Sequence, residues 1–333
     1  MATCCIVYAT DAAYLLPTLV SARQARAHAS PDLADVAVHC IDTEDARTAA
    51  AAEACAEAGV TFACHPPFFR AGFPKQLARF LLAGLAGSSY TDILYLDGDT
   101  QVVDSLDPLI GLGVPAGVVA GVRDPLSYLR PFETPARTQA NWNRLGIGRM
   151  AKTRYINAGM QRARRETLES LSRDCLDAYL AQPDRYLYLD QDVLNTQHAD
   201  HIRTLPLRWN FPAWMMAYPA YCAVRPAVVH FMSRQKPWAG VTYPWGRAFT
   251  QPYEDLARAW PALAPDWQPP LPVTGAAHDT RQWLRQHVQY AHWGRRTRIE
   301  DVLGSDVDFP LHPDMAAGCS AHDIGAGSMA RSA

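Results

Sequence analysis

The sequence predicts an α/β fold with a mostly parallel central sheet. Two observations carry that expectation. Short apolar, β-rich runs alternate with helical patterns over the first hundred residues. Acids stand at the ends of three of those runs, at Asp11, Asp42 and Asp97, and open α/β sheets bind ligands at the carboxyl ends of their strands.

The elements follow in order. "CCIVYAT" (4–10) is a continuous apolar run and reads as a buried strand. Past Asp11, "AAYLLPTLVSARQARAH" has helical spacing, with Pro17 near its first turn. "DVAVHCID" (35–42) is a second strand, the alanine-rich 45–60 a helix closing on Gly59, and "TFACHP" (61–66) a third strand. Residues 73–87 read as a helix and "TDILYLD" (91–97) as the fourth strand. Beyond residue 100 the order changes: strands are expected over 117–124, 153–163 and 228–232, and helices over 166–182 and 246–260, the last interrupted near Pro252. These elements make one domain over 1–260. Residues 261–333 read as an extension with a helix at about 279–292 and a disordered tail, "AAGCSAHDIGAGSMARSA".

Composition bounds the function. The 333 residues are 49% hydrophobic, enough for a sizeable core, and the net charge of -2 argues against a nucleic-acid partner, which calls for a basic face. Arginine carries almost all the positive charge, and the three lysines are Lys75, Lys152 and Lys236. The eight cysteines form no C-x-x-C pair and read as reduced, buried residues of a cytoplasmic protein. "MATCCIVYAT" lacks the basic start of a signal peptide, and no apolar run approaches a membrane span. The expected location is cytoplasmic, with room for peripheral contact with the inner face of the membrane.

In "YLDGDTQV" (95–102), Asp97 and Asp99 flank a glycine directly after an apolar strand. Residues two apart on a strand share a face, and two unpaired carboxylates there raise each other's pKa. A divalent cation removes that penalty and makes the pair a ligand set; the plain alternative is two solvated turn acids. A phosphatase pattern, D-x-D-x-[TV], fits poorly because Gln101 stands at its last position. In "HFMSRQKPW" (230–238), His230 follows an apolar strand and could complete a metal site, where an imidazole beside oxygen ligands tilts from magnesium toward manganese. Lys236 would be a point charge for phosphate oxygens; otherwise it is a surface lysine. In "YINAGM" (155–160), Asn157, Ala158 and the following glycine suggest close backbone approach to a ligand, against a plain turn. Asp190 of "DQDVLN" (190–195) could simply cap a helix, with Gln191 in its first turn.

The order of these motifs matches one family. The chain resembles glycosyltransferase family 8, the group of glycogenin and bacterial lipopolysaccharide galactosyl- and glucosyltransferases, over roughly residues 4–260. The resemblance implies a GT-A fold that binds a UDP-sugar and Mn2+ (Mg2+ as second choice) and transfers the sugar with retention. It implies that Asp11 and Tyr14 meet the uridine, although Ala13 stands where many relatives have Asn. It assigns Arg79 to the donor, Asp97, Asp99 and His230 to the metal, and Lys236 to the diphosphate. Ser233 stands where relatives often have Gly, beside the phosphates. Asn157, Ala158, Asp190 and Gln191 match the surroundings of the donor sugar, with Asp190 and Gln191 the catalytic candidates, and Trp238 matches a packing residue.

The implied partners are UDP-glucose or UDP-galactose and a glycan or glycolipid acceptor, in lipopolysaccharide or surface polysaccharide synthesis. A nucleotide-sugar-binding protein without turnover is the alternative. Retention leaves two routes: double displacement through Asp190, or front-face attack in which the departing phosphate takes the acceptor's proton, the favoured route. The Arg- and aromatic-rich 123–154 is an acceptor lid or a plain surface excursion, and "HWGRRTR" (292–298) a lipid-contacting or solvated patch.

Overall fold

The computed structural model describes residues 2–67, 74–128, 136–148, 151–217, 224–233, 235–241 and 245–264, with 280, 281, 283, 284, 287 and 288. In chain order the elements are β1 (Cys4–Thr10), α1 (Leu15–Ala27), β2 (Ala34–Ile41), α2 (Ala46–Glu57), β3 (Thr61–His65), α3 (Leu82–Leu85), β4 (Asp92–Leu96), β5 (Thr100–Val102) and α4 (Asp107–Ile110). Then come β6 (Val119–Val122), α5 (Ala136–Arg144), α6 (Ala151–Arg154), β7 (Met160–Arg164), α7 (Arg165–Ala181), α8 (Leu189–Gln197), β8 (Ile202–Leu205), β9 (Phe211–Pro212), β10 (Val228–His230) and α9 (Gly246–Ala259).

Seven strands form the central sheet in the order β3-β2-β1-β4-β7-β6-β8. All neighbours are parallel except β7, which runs against both β4 and β6. Both faces are covered, which is why β1 reads as an unbroken apolar run. Ile6 and Tyr8 pack on one side with Leu15 and Leu19 of α1; Cys5 and Val7 pack on the other with Leu77, Phe80 and the buried Trp142. Asp45 caps α2 in a reciprocal capping box with Thr48.

A second sheet, β5-β10-β9, sits beyond the carboxyl end of β4. β10 pairs antiparallel with β5, His230 opposite Thr100, and the Phe231 amide donates to the Asp99 carbonyl at 2.9 Å. That pairing carries residue 230 to the acids more than 130 positions earlier in the chain. Likewise the antiparallel pairing of β4 with β7 ends with the Asp97 amide donating to the Gly159 carbonyl at 2.9 Å.

Four expectations need correction. Residues 153–163 are not one strand: Ala151–Arg154 is helical, Ile156 makes an isolated bridge to Arg123, and only β7 extends. The interruption has a cause, since Asn195 on α8 clamps the Ile156 amide and carbonyl at 2.8 and 2.9 Å. The helix expected over 73–87 is a 3-10 stretch, Lys75–Leu81, followed by the single turn α3. α9 runs through Pro252 without a break, because Tyr253, Leu256 and Ala257 hold it in the core. Asp190 is not the N-cap of α8; Tyr188 is.

Residues 280, 281, 283, 284, 287 and 288 are helical, as expected within 279–292. The segment 292–298, the expected tail, Cys222 and Cys319 lie outside the described residues. The other six cysteines are free, and all but Cys64 are buried. Among the described residues no helix is long and apolar enough to cross a membrane.

Candidate active site

The site lies where β1, β4 and the second sheet meet, and two cavities open beside it. The first, of about 460 Å³, is lined by Asp11, Tyr14, Thr18, Arg79, Tyr95, Asp97, Gly98 and Asp99 among others. The second, of about 510 Å³, shares Arg79 and Asp97 and adds Asp124, Asn157, Ala158, Asp190, Gln191, Trp214 and Met232. Arg79 and Asp97 therefore stand on the ridge between them.

Asp97, Asp99 and His230 converge: one ligand atom from each lies within 4.8 Å of the others. His230 Nε2 is 3.1 Å from Asp99 Oδ1 and 3.9 Å from Asp97 Oδ2. The other oxygen of each acid is already held. Asp97 Oδ1 accepts from the Tyr95 hydroxyl and lies 3.1 Å from Arg79. Asp99 Oδ2 accepts from Lys236 Nζ at 2.6 Å, and that ammonium also donates to the Phe231 carbonyl at 2.5 Å. Two oxygens and one imidazole nitrogen thus face a common point. This mixed oxygen and nitrogen donor set fits a divalent metal ion.

The electrostatics agree. Burial pushes the Asp99 carboxyl up, but His230 and Lys236 outweigh it and hold it well below the usual carboxylate range. Burial pushes His230 down, and Asp99 more than reverses this, so the imidazole is raised above its ordinary value. A ring that faces two carboxylates holds a proton where a cation would otherwise sit.

Around the second cavity the side chains form one network. Asn157 Nδ2 donates to Asp124 Oδ2 at 3.0 Å and to Gln191 Oε1 at 3.1 Å. Gln191 Oε1 also accepts from the Ala158 amide, and its Nε2 donates to Asp124 Oδ2, both at 3.2 Å. Asp190 Oδ2 lies 2.9 Å from Arg79 Nε, and Arg79 Nη1 donates to the Ala158 carbonyl at 2.7 Å. Burial pushes Asp190 up to about 6, against the pull of Arg79. Burial also raises Asp124, opposed by its bond from Asn157. α8 opens on Leu189 with φ 41°, a left-handed conformation that costs a leucine ~1–3 kcal/mol. That turn places Asp190 and Gln191 on the cavity wall.

The structure brings together Arg79, Asp97, Asp99, Asn157, Ala158, Asp190, Gln191, His230 and Lys236. Asp11 lines the first cavity while its Oδ1 accepts from the Tyr14 amide at 3.1 Å. Tyr14 is half-exposed at the rim, edge-on to Trp238, so Trp238 packs at the rim as well as on Tyr253. Ser233 lines neither cavity; its hydroxyl donates to the Gln235 carbonyl at 2.8 Å.

Sequence reading missed Asp124, although it ends a strand as Asp11 and Asp97 do. It missed Asn210 for want of any signal. It understated Gly159: a Cβ there would lie 2.3 Å from His230 Cε1 and 2.8 Å from Asp97 Oδ2. The close neighbour of this glycine is the ligand cluster itself. The 123–154 segment is partly core, with Trp142 fully buried and Asn141 bonded to Asp192; residues 129–135 and 149–150 lie outside the described residues.

The mostly parallel sheet, with paired acids and a histidine beyond the carboxyl end of β4, has a GT-A type fold. The family model for glycosyl transferase family 8 matches residues 5–242, and the chain belongs to that family. Similar solved structures include galactosyltransferase LgtC in complex with donor and acceptor sugar analogs, at 23% identity, 77% of this chain, 96% of that chain and TM-score 0.59. Another is the bifunctional glycosyltransferase WbbM, at 17% identity, 79% of this chain, 50% of that one and TM-score 0.58. A third is glycosyltransferase GlyE of Streptococcus pneumoniae TIGR4, at 18% identity, 80% and 63% coverage and TM-score 0.55. Among curated proteins none matches. The family and fold support glycosyl transfer.

Proposed function

We propose that this chain is a retaining transferase that moves glucose or galactose from a UDP-sugar to a glycan or glycolipid acceptor with the help of Mn2+. The observation that carries the reading is the convergence of Asp97, Asp99 and His230 on one point between two adjoining cavities. The uridine occupies the first cavity, with Asp11 accepting from the uracil N–H and Tyr14 against the ring. Asp97, Asp99 and His230 would hold the ion, which would supply Lewis-acid stabilisation of the negative charge that grows on the leaving diphosphate. Lys236 exchanges part of its contact with Asp99 for a phosphate oxygen and stabilises the same charge, most strongly in the transition state.

The donor sugar lies in the second cavity against Arg79, Asn157, Ala158, Asp190 and Gln191. Front-face attack is favoured over a covalent intermediate. Gln191 is a poor nucleophile with both ends of its amide engaged, and Asp190 is tied to Arg79. In that route the acceptor hydroxyl bonds to the anomeric carbon as the C–O bond to UDP breaks, and its proton passes to the leaving phosphate. Lipopolysaccharide or surface polysaccharide synthesis in the cytoplasm, at the inner face of the membrane, is the proposed setting.

The test is UDP release from a panel of UDP-sugars with Mn2+, Mg2+ or EDTA. Release from UDP-glucose or UDP-galactose should require metal and be fastest with Mn2+. Full release in EDTA, or none from either sugar in Mn2+ with any glycan acceptor, would overturn the reading.

A further inference from the structure

One buried side chain outside both cavities ties the two halves of the site together. Asn210 ends the 3-10 turn before β9, is 2% exposed, and lies between His230 and Asn157. Its Oδ1 is 2.9 Å from His230 Nδ1, and its Nδ2 donates to Asn157 Oδ1 at 3.0 Å.

The orientation of this chain of groups is forced from one end. The Gly159 backbone amide can only donate, and it reaches Asn157 Oδ1 at 2.9 Å. The Asn157 atom at that point is therefore the carbonyl oxygen, which leaves its Nδ2 for Asp124 and Gln191. The Asn210 atom that faces the same oxygen must be the NH2 group, so the atom that faces His230 must be the oxygen. An oxygen there requires a proton on His230 Nδ1. Nε2 is then the nitrogen that faces Asp97 and Asp99, the one a cation would take in place of a proton.

We propose that Asn210 is a positioning residue that fixes His230 with Nδ1 protonated and Nε2 toward the ion, and that couples the ion's site to the sugar side through Asn157. This rests on the metal-dependent transfer reading above. The coupling has a physical path: any shift of the His230 ring pulls on Asn210, then on Asn157, whose other end holds Asp124 and Gln191.

Two substitutions with the same number of side-chain heavy atoms separate the two roles. Asn210→Asp keeps an acceptor for Nδ1–H but loses the donor to Asn157 Oδ1. Asn210→Leu loses both. The readouts are Mn2+ affinity of the substrate-free protein, from free Mn2+ by electron paramagnetic resonance, and kcat and KM for the UDP-sugar at saturating Mn2+, with circular dichroism confirming the fold.

Asn210→Leu should weaken Mn2+ binding about 10- to 100-fold, the usual effect of losing a partner behind a ligating histidine. Asn210→Asp should bind Mn2+ as tightly as wild type or tighter, yet lose about 10-fold in kcat with little change in KM. A folded Asn210→Leu protein with wild-type Mn2+ affinity overturns the proposal. So does Asn210→Asp if it loses 10-fold in Mn2+ affinity, or if it keeps both affinity and kcat, and these arms decide even where the leucine variant does not fold. Wild-type protein that binds no Mn2+ would instead sink the transferase reading beneath it.

Discussion

Gly159→Ala tests the proximity on which the site depends. The added methyl meets His230 Cε1 at 2.3 Å, Asp97 Oδ2 at 2.8 Å and His230 Nδ1 at 2.8 Å. Ordinary contact begins near 3.4 Å, so the ring must retreat by about 1 Å or β7 must slide. Neither group moves freely: His230 is held by β10, Asn210 and Asp99, and the Gly159 carbonyl by the Asp97 amide. A misplacement of ~1 Å at a reacting centre costs on the order of 100-fold in rate. Overpacking costs ~1–3 kcal/mol in stability, partly offset by ~0.4–1 kcal/mol from the stiffer unfolded chain. Gly159 is not in a left-handed conformation, so backbone strain adds nothing. UDP release at saturating donor should fall about 100-fold. Mn2+ affinity, read by electron paramagnetic resonance, should fall with it, while Tm drops by only a few degrees. Wild-type Mn2+ affinity and turnover in Gly159→Ala would mean that residue 159 does not abut the ligand cluster, and the site as described would be wrong.

Three further outcomes follow from the same geometry. Asp190 is raised from 3.8 to about 6 by burial, so the folded state keeps a proton that the unfolded chain has lost between those values. Stability falls as pH rises through that window and the loss is complete above it. Urea titrations should therefore find Asp190→Asn gaining on wild type by about 2 kcal/mol between pH 4 and 7; a constant difference across that range would show that the carboxyl is not so perturbed. Lys236→Met, by removing the ammonium beside Asp99, should cut UDP release about 100- to 1,000-fold, and a loss under 5-fold in the same assay would remove this lysine from the diphosphate. Asp192 accepts from Tyr155, Asn141 and the Tyr188 amide at 2.6, 2.9 and 2.8 Å, so Asp192→Ala should destabilise the fold by about 3 kcal/mol or more, measured by thermal melting; an unchanged Tm would count against that triple clamp.

Much of the fold was legible because it is written in local pattern. Continuous apolar runs gave the buried strands, and helical spacing gave α1, α2 and α7, with Gly59 marking the end of α2. The failures came where tertiary contact overrode pattern. "TRYINAGMQRA" is apolar enough for one strand, yet Asn195 takes the Ile156 backbone and stops it. The 3-10 path of Lys75–Leu81 puts Arg79 between Asp97 and Asp190, an ion-pair geometry that spacing does not encode.

The sequence by itself placed Asp97 and Asp99 together at a strand end, but not by the period of two expected of extended backbone: they stand in the turn between β4 and β5, where the Thr100 amide donates to the Asp97 carbonyl at 3.3 Å. It also determined that His230 and Lys236 stand at and beyond the end of a strand, and it set out the family's motif order. It could not distinguish Asp190, which lines a cavity, from Asp192, which is fully buried among three donors, because both stand in one six-residue motif. Nor could it find Asn210, whose role exists only because β9 and β10 bring it between His230 and Asn157. Hydrogen-bond direction and steric closeness between residues far apart in sequence arise from strand pairing, and only the folded chain decides them.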